Sequence, residues 1–563
     1  MDNVGRRDKK QRNKKRRESF ITPFWRSTRP VMEYLVALTG GCPAAYKLIV
    51  HLLVSAMKKK VLSEDVVQLE AGYHVFIPIP AHTMKKLGGI EAIDWLRERK
   101  IIHRRYWRDE DGLLVYYTNG RCAEYALDPG VLLEVCRIAL RVIKRDPKHI
   151  DYVDLVTWKP IGSRRGPKLA AFDFTGAEKG ALVEIPWVVM LAKAEEMLQI
   201  AEATGRIDLQ RRAFAAAFEL QRIHAMPHFR RVKGGCAIFR SYYRRHPNGR
   251  RYQVGGGLQQ MPRELKQVLL DEGKGYYNYD LSSAHVMAIL KLAKAVNQAR
   301  HLHMKKDRAW ASVSFIDATP FEEIVTEGYA SLADMAGLPE GIVKTIYHAH
   351  IMGADFEPRK RHAAYEDVRA YLGDWWKARK ALKEMEWAFA AVTEARDGVI
   401  AALNMMIRNP KMTSTQWLRG FVEVSQVGPQ IFIRNACGGV LEVQDIQCQR
   451  VAKDSSILSH LLTGIERKVI STLVLLLEDH GIDVISDEHD GLITRGSIPQ
   501  DLIDKAVQPV LGKQAVLRLK PLCKPQDDPF RAIKEAFLGP AENEDPDEED
   551  RAEPVGLLYG GGS

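Results

Sequence analysis

The segment YYNYDLSSAHVMAIL (276–290) changes character around one acidic residue, Asp280. Its tyrosines favour a β-strand, because bulky side chains fit a half-buried pleated surface. The residues after Asp280 are small and then helix-forming, so a strand must hand over to a helix with one carboxylate at the junction. Far downstream, VISDEHDGLIT (484–494) is a second short β run broken by a turn that carries Asp490. A single aspartate at a strand end most often shapes a turn or caps a helix. Two of them suit a further task, holding a pair of Mg²⁺ ions (or Mn²⁺) for phosphoryl transfer, since Mg²⁺ prefers carboxylate and phosphate oxygens.

At 563 residues the chain has room for several domains with cores of their own. A hydrophobic fraction of 46% with 27% charged residues fits a globular protein, and a net charge of +12 favours a polyanionic partner. The seven cysteines include no CxxC pair, which argues against a zinc ribbon or a disulfide frame and for a reducing compartment. No apolar run is long enough to span a bilayer, and the basic start GRRDKKQRNKKRRESF is unlike a secretory signal. The expectation is a cytoplasmic protein of a bacterial or phage-infected cell, without a membrane partner. No GxxxxGK[ST] phosphate loop is present, which excludes the usual ATP-driven translocase. A two-metal nuclease would show a denser set of carboxylates.

Five regions follow from the pattern. Residues 1–30 form a basic arm. Residues 31–150 read as a winged-helix-like domain: a strand at 75–79, a helical stretch, then β-rich runs around the Asp111–Gly112 turn. Its Lys85, Lys86, Arg97, Arg99, Arg104 and Arg105 either face phosphates or serve a packing scaffold. Residues 151–247 are a linker and a helical region, whose Ala-rich 185–225 segment breaks at Thr204-Gly205 into two antiparallel helices. Residues 248–540 contain both aspartates and a second helical block, 364–407. Its aromatic stripe, Trp375, Trp376, Trp387 and Phe389, is expected in the core rather than as a base-stacking surface. Residues 541–563 are an acidic tail ending in a linker-like GGGS.

Upstream of Asp280, NGRRYQVGGGLQQMPRELKQVLLDEGK (248–274) resembles the family A DNA polymerases. There a Thr-Gly-Arg tripeptide and an LQNIP-like segment precede the first catalytic aspartate. Asn248-Gly249-Arg250 and Leu258-Gln259-Gln260-Met261-Pro262 are the counterparts here. VKTIYHAHIMGADF (343–356) is similar to that family's fingers helix, with Lys344 at the conserved lysine and Gly353 nine positions later. IERKVISTLVLLLEDHGI (465–482), followed by VISDEHDGLIT, is similar to its closing helix and His-Asp hairpin, here His489-Asp490. The resemblance covers about residues 245–500 and extends to phage-type RNA polymerases. It implies an α+β right-hand polymerase: a helical thumb, a palm with an antiparallel sheet, and helical fingers inserted between the aspartates.

The resemblance also implies roles. Asp280, Asp490 and the Leu281 backbone carbonyl would bind the metals. Lys344 would meet the triphosphate of a nucleoside triphosphate, and His489 would contact the primer end or orient Asp490. His285, His348 and Met352 would line the nucleotide pocket. Arg250, with Gln259 and Gln260, would touch the template–product duplex. The basic run HFRRVKGGCAIFRSYYRRHPNGRRY (228–252) adds Arg230, Arg231, Arg244, Arg245 and Arg251 as phosphate contacts or as a solvated loop. Five departures bear on substrate. His285 stands where DNA polymerases carry a Glu that crowds the ribose 2′ position. Glu340 and His348 replace an Arg and an aromatic residue, and Met352 replaces a Tyr. Gly491 follows Asp490 where a carboxylate is common, as in phage-type RNA polymerases. The lost Glu, with the absence of an obvious proofreading exonuclease, tilts the expectation towards RNA or primer synthesis, on a template expected to be DNA. The alternative is a catalytically inactive, polymerase-like nucleic-acid-binding module.

Overall fold

The computed structural model describes residues 26–538 apart from 59–65, 70–71, 80–82, 85–86, 88–89, 106–122, 146–150, 156–173, 273–274, 355, 357–362, 446–449 and 521–527. Lys85, Lys86 and the Asp111–Gly112 turn therefore lie outside the described residues, as do both tails. The rest is a mixed α/β chain with small antiparallel sheets. Among the described residues no helix is long and apolar enough to cross a membrane.

The first region packs helices α1 (Arg29–Leu38) and α2 (Pro43–Lys58) with strand β1 (Ile77–Ile79), helix α3 (Ile90–Glu98), strands β2 (Ile102–Arg105) and β3 (Ala123–Leu127), and helix α4 (Pro129–Ile143). The three strands form one antiparallel sheet with β3 at its centre. Helix α4 starts where a sequence rule says it should: Pro129 fixes the first turn and the Asp128 carboxylate accepts the Gly130 N–H at 2.8 Å. The basic residues here engage their own chain. Arg99 lies over the Trp95 ring, Arg104 over Tyr125, and Arg105 pairs with Glu124.

Strand β4 (Glu178–Ile185) leads into helices α5 (Trp187–Thr204) and α6 (Ile207–His224), which pack side by side. Gly205, in the left-handed conformation at φ 63°, closes α5 and turns the chain back, as the Thr-Gly break anticipates. Strand β5 (Ala237–Arg245) then pairs with β4 on one side and with β6 (Arg251–Gln253) on the other.

Strand β7 (Tyr276–Leu281) passes through Ser282 and Ser283 into helix α7 (Ala284–His303). The helical insertion follows, with α8 (Glu340–Ile351), α9 (Ala363–Leu372), α10 (Trp375–Ala388) and α11 (Ala390–Arg408). The aromatic stripe divides here, against expectation. Phe389 is fully buried, whereas Trp376 and Trp387 are 68% and 78% exposed; the Trp375 side chain lies outside those described. Helical phase explains the split. Ala378, Leu382 and Met385 form the buried seam of α10, and the two tryptophans fall on the opposite side. An unanticipated antiparallel meander follows: β8 (Val422–Val427), β9 (Gln430–Asn435) and β10 (Val440–Asp445).

Helix α12 (Asp454–Asp479) brings the chain back to the hairpin β11 (Asp483–Asp487) and β12 (Gly491–Arg495). Helix α13 (Gln500–Leu511) and strand β13 (Leu517–Leu519) complete a four-stranded sheet in the order β11-β12-β7-β13. Every residue of β12 except Arg495 is buried, because the hairpin is wedged between two cores. Leu492 belongs to the core under α7 and α12, and Ile485 and Ile493 to the core formed with α5 and α6. Each such side chain contributes about 1.5–3 kcal/mol on burial, so both faces of the hairpin are fixed.

Candidate active site

Asp280 lies one residue from the end of β7, opposite Gly491 of β12 on one side and Arg518 of β13 on the other. Asp490 sits in the turn of the β11–β12 hairpin. The Leu281 N–H donates to the Asp490 carbonyl at 2.9 Å, which locks the end of β7 onto that turn. A Cβ at position 491 would lie 2.1 Å from the Tyr279 carbonyl oxygen, so glycine is what lets the two strands approach so closely. His489, before Asp490, has φ 72°, a left-handed turn conformation for a non-glycine residue.

The two aspartates share their surroundings with a third carboxylate. Burial, then the Glu466 and Asp280 charges, push the Asp490 carboxyl up to about 6. Asp490 remains exposed to solvent at the hairpin turn. Glu466 projects from α12 and is fully buried. Arg250 clamps it, with Nη2 2.9 and 3.2 Å from its two oxygens, and His285 Nε2 lies 2.9 Å away. Burial alone would raise the Glu466 carboxyl, but His285 and Arg250 outweigh it and hold it below the ordinary carboxylate value. Lys520 Nζ lies 2.6 Å from Asp280 Oδ2.

Helix α8 joins this cluster through histidines. His285 and His348 have ring centroids 6.3 Å apart, and the Tyr329 hydroxyl lies 3.1 Å from His348 Nε2. Burial first, then the charges of His285 and Lys344, lower His348 to about 4. Lys344 is exposed one turn before it. Met352 is half-buried, and Gly353 at φ 93° passes close to Ser455 at the start of α12.

The remaining sequence candidates support the hairpin and its neighbours. Gln259 Nε2 donates to the Asp487 carbonyl at 2.6 Å and lies 3.4 Å from His489 Nδ1. Arg222 donates to the Gln260 side chain. Arg251 pairs with Glu178 at 3.0 Å and lies over the Tyr243 ring. Arg231 donates to the carbonyls of Ile143 and Arg145, where α4 ends. Arg230 is exposed on the two-residue strand beside β5. Arg244 donates to the Thr175 carbonyl, and Arg245 reaches Glu178 at 3.5 Å. The structure thus draws Asp280, Leu281, Asp490, His489, Gln259, Arg250, His285, His348 and Lys344 into one neighbourhood. Arg230, Arg231, Arg244 and Arg245 lie apart from it, on β5 and its edge.

Sequence reasoning missed Glu466, Arg467, Asp487 and Lys520. Arg467 makes a two-pronged pair with Asp487, Nη1–Oδ1 2.6 Å and Nη2–Oδ2 2.5 Å, with both side chains 2% exposed. Asp487 ends β11, so the pair anchors the strand that feeds the Asp490 turn. The signal was present: Glu466-Arg467-Lys468 interrupts an apolar helix. Among the described residues, no group of three or more His, Cys, Asp or Glu side chains is assembled that could hold a metal ion.

No protein-family model matches the chain, and no curated protein matches it. Among solved structures it is similar to the POL domain of Pol1 from M. smegmatis, solved in complex with DNA primer-template and dNTP. The identity is 13% and the TM-score 0.32, over 70% of this chain and 64% of that one. The chain thus spans less than two thirds of that domain's length. At this level of similarity, any functional reading has to stand on the site itself.

Proposed function

We propose that the chain is a template-directed nucleotidyltransferase, a nucleic-acid polymerase that adds nucleoside monophosphates from nucleoside triphosphates. The observation that carries this reading is the junction of Asp280 with the Asp490 turn, closed by the Leu281–Asp490 backbone hydrogen bond. Two carboxylates with an adjacent backbone carbonyl are hard oxygen donors that suit Mg²⁺, which takes its remaining ligands from phosphate and water. Burial, followed by the Glu466 and Asp280 charges, raises the proton affinity of Asp490, and a bound cation would offset that. Asp280, Asp490 and the Leu281 carbonyl would hold the metal ions. When bound, Mg²⁺ supplies positive charge at the attacking hydroxyl and at the departing pyrophosphate.

The chain's own residues do the positioning. Lys344, exposed on α8, meets the triphosphate and adds positive charge where the leaving group becomes more negative. Glu466 is saturated by Arg250 and His285, so it serves as a buried strut rather than as a ligand. Gln259 orients His489 beside Asp490. DNA is the proposed template. Ribonucleotides are the favoured substrate, because His285 is drawn towards Glu466 rather than standing as a carboxylate at the sugar.

A second reading, an inactive nucleic-acid-binding module, is favoured by one contact: the Lys520 ammonium already neutralises Asp280. One experiment separates the two. Wild type and Asp490→Asn are supplied with Mg²⁺, primed or unprimed DNA, and dNTPs or NTPs in separate reactions. Incorporation that disappears in the variant supports the polymerase reading. Salt-sensitive binding with no product under any condition supports the module.

A further inference from the structure

Helix α10 carries an outer ridge that the catalytic reading does not use. Measured by helical phase, Trp376, Lys380, Lys383 and Trp387 all point directly away from the buried seam of Ala378, Leu382 and Met385. Trp376 and Trp387 are 68% and 78% exposed, and Tyr371 at the end of α9 is 56% exposed. Large aromatics on one ridge of a helix mark an interaction surface, since scattered exposure would not align them. The helix from Trp375 to Ala388 holds four basic and two acidic residues, and one acid, Glu384, is 3.7 Å from Lys380.

Charge decides the occupant. Protein interfaces are depleted in lysine, whereas two rings flanking two cations match bases and phosphates. The tryptophans are about 16 Å apart along the axis at ~1.5 Å per residue. That corresponds to roughly five nucleotides of strand at about 3.4 Å each. We propose that the Trp376–Trp387 ridge of α10 is a stacking platform for single-stranded nucleic acid, with Lys380 and Lys383 on the intervening phosphates. It would hold an unpaired strand on the helical insertion, whichever chemistry the Asp280–Asp490 site performs.

The test is anisotropy of a labelled oligothymidylate of about 20 nucleotides, titrated with the full chain in EDTA and without nucleotides. Failure of the polymerase reading therefore leaves the outcome untouched. Trp376→Ala/Trp387→Ala should weaken binding on the order of 30-fold, and Trp376→Phe/Trp387→Phe should restore most of it. Lys380→Ala/Lys383→Ala should lower the salt slope by about 1.4. Circular dichroism checks that these exposed substitutions leave the fold intact. Unchanged affinity in the Trp→Ala pair would overturn the proposal. So would sedimentation showing that this pair abolishes self-association while oligonucleotide binding stays the same.

Discussion

The Arg467–Asp487 pair determines how firmly the β11–β12 hairpin is held, and its energetics can be taken apart. Both side chains are 2% exposed, and the guanidinium and carboxylate meet through two short contacts. Removing one member leaves a buried charge without its partner, at a cost of about 3–5 kcal/mol. The two single variants should differ. Arg467→Met leaves Asp487 with Arg251, whose Nη1 is 3.8 Å away, so its cost falls near the lower figure. Asp487→Leu strands Arg467 inside α12 and should fall near the upper one. The double variant replaces two desolvated charges by apolar groups of moderate size, and should be more stable than either single variant. Urea unfolding followed by far-ultraviolet circular dichroism reads all four corners of the cycle. Costs that simply add in the double variant would refute the claim that the two residues form one buried unit.

Two further predictions follow from local geometry. Gly491→Ala should cut nucleotide incorporation at least about 100-fold with the fold retained, because a 1 Å displacement at a reacting centre carries a penalty of that order. The new methyl group meets the Tyr279 carbonyl, and wild-type activity in this variant would show that the β7–β12 approach does not matter. Burial, with the Arg396 charge, holds His350 near 4 against an ordinary 6.5. The unfolded chain thus binds the extra proton first. The associated stability is complete above about pH 6.5, is lost as pH falls towards 4, and amounts to about 3 kcal/mol. His350→Gln should flatten that part of the stability–pH curve, and an unchanged slope would assign it to other groups.

The strand-to-helix switch at Asp280 and the hairpin around Asp490 were legible because both are local. Tyrosine-rich β pattern, small residues and a turn suffice to specify them. Glu466 and Arg467 were not legible, because inside a helix they look like a solvated stripe. Their burial depends on Arg250 and Asp487, and Arg250 lies 216 residues away. The basic run at 228–252 misled in a similar way. Arg231, Arg244, Arg250 and Arg251 spend their guanidinium groups on carbonyls and carboxylates of the chain itself. The aromatic stripe suggests a core position for Trp376 and Trp387, whereas the phase set by Ala378, Leu382 and Met385 turns them outwards. The β8–β10 meander escaped notice because its alternating residues lie between two long helical segments and carry no residue tied to the site.

The central claim is that Asp280 and Asp490 act together in nucleotidyl transfer, and single-turnover incorporation with Mg²⁺ by three carboxylate variants tests it most directly. Asp280→Asn and Asp490→Asn should each lose at least about 1,000-fold, a loss of ~4 kcal/mol in transition-state stabilisation. Glu488→Gln, two residues from Asp490 but bound to Lys266 and Ser486, should stay within a few-fold of wild type. Near-normal rates for either aspartate variant, with protein that is folded and active, would contradict the account.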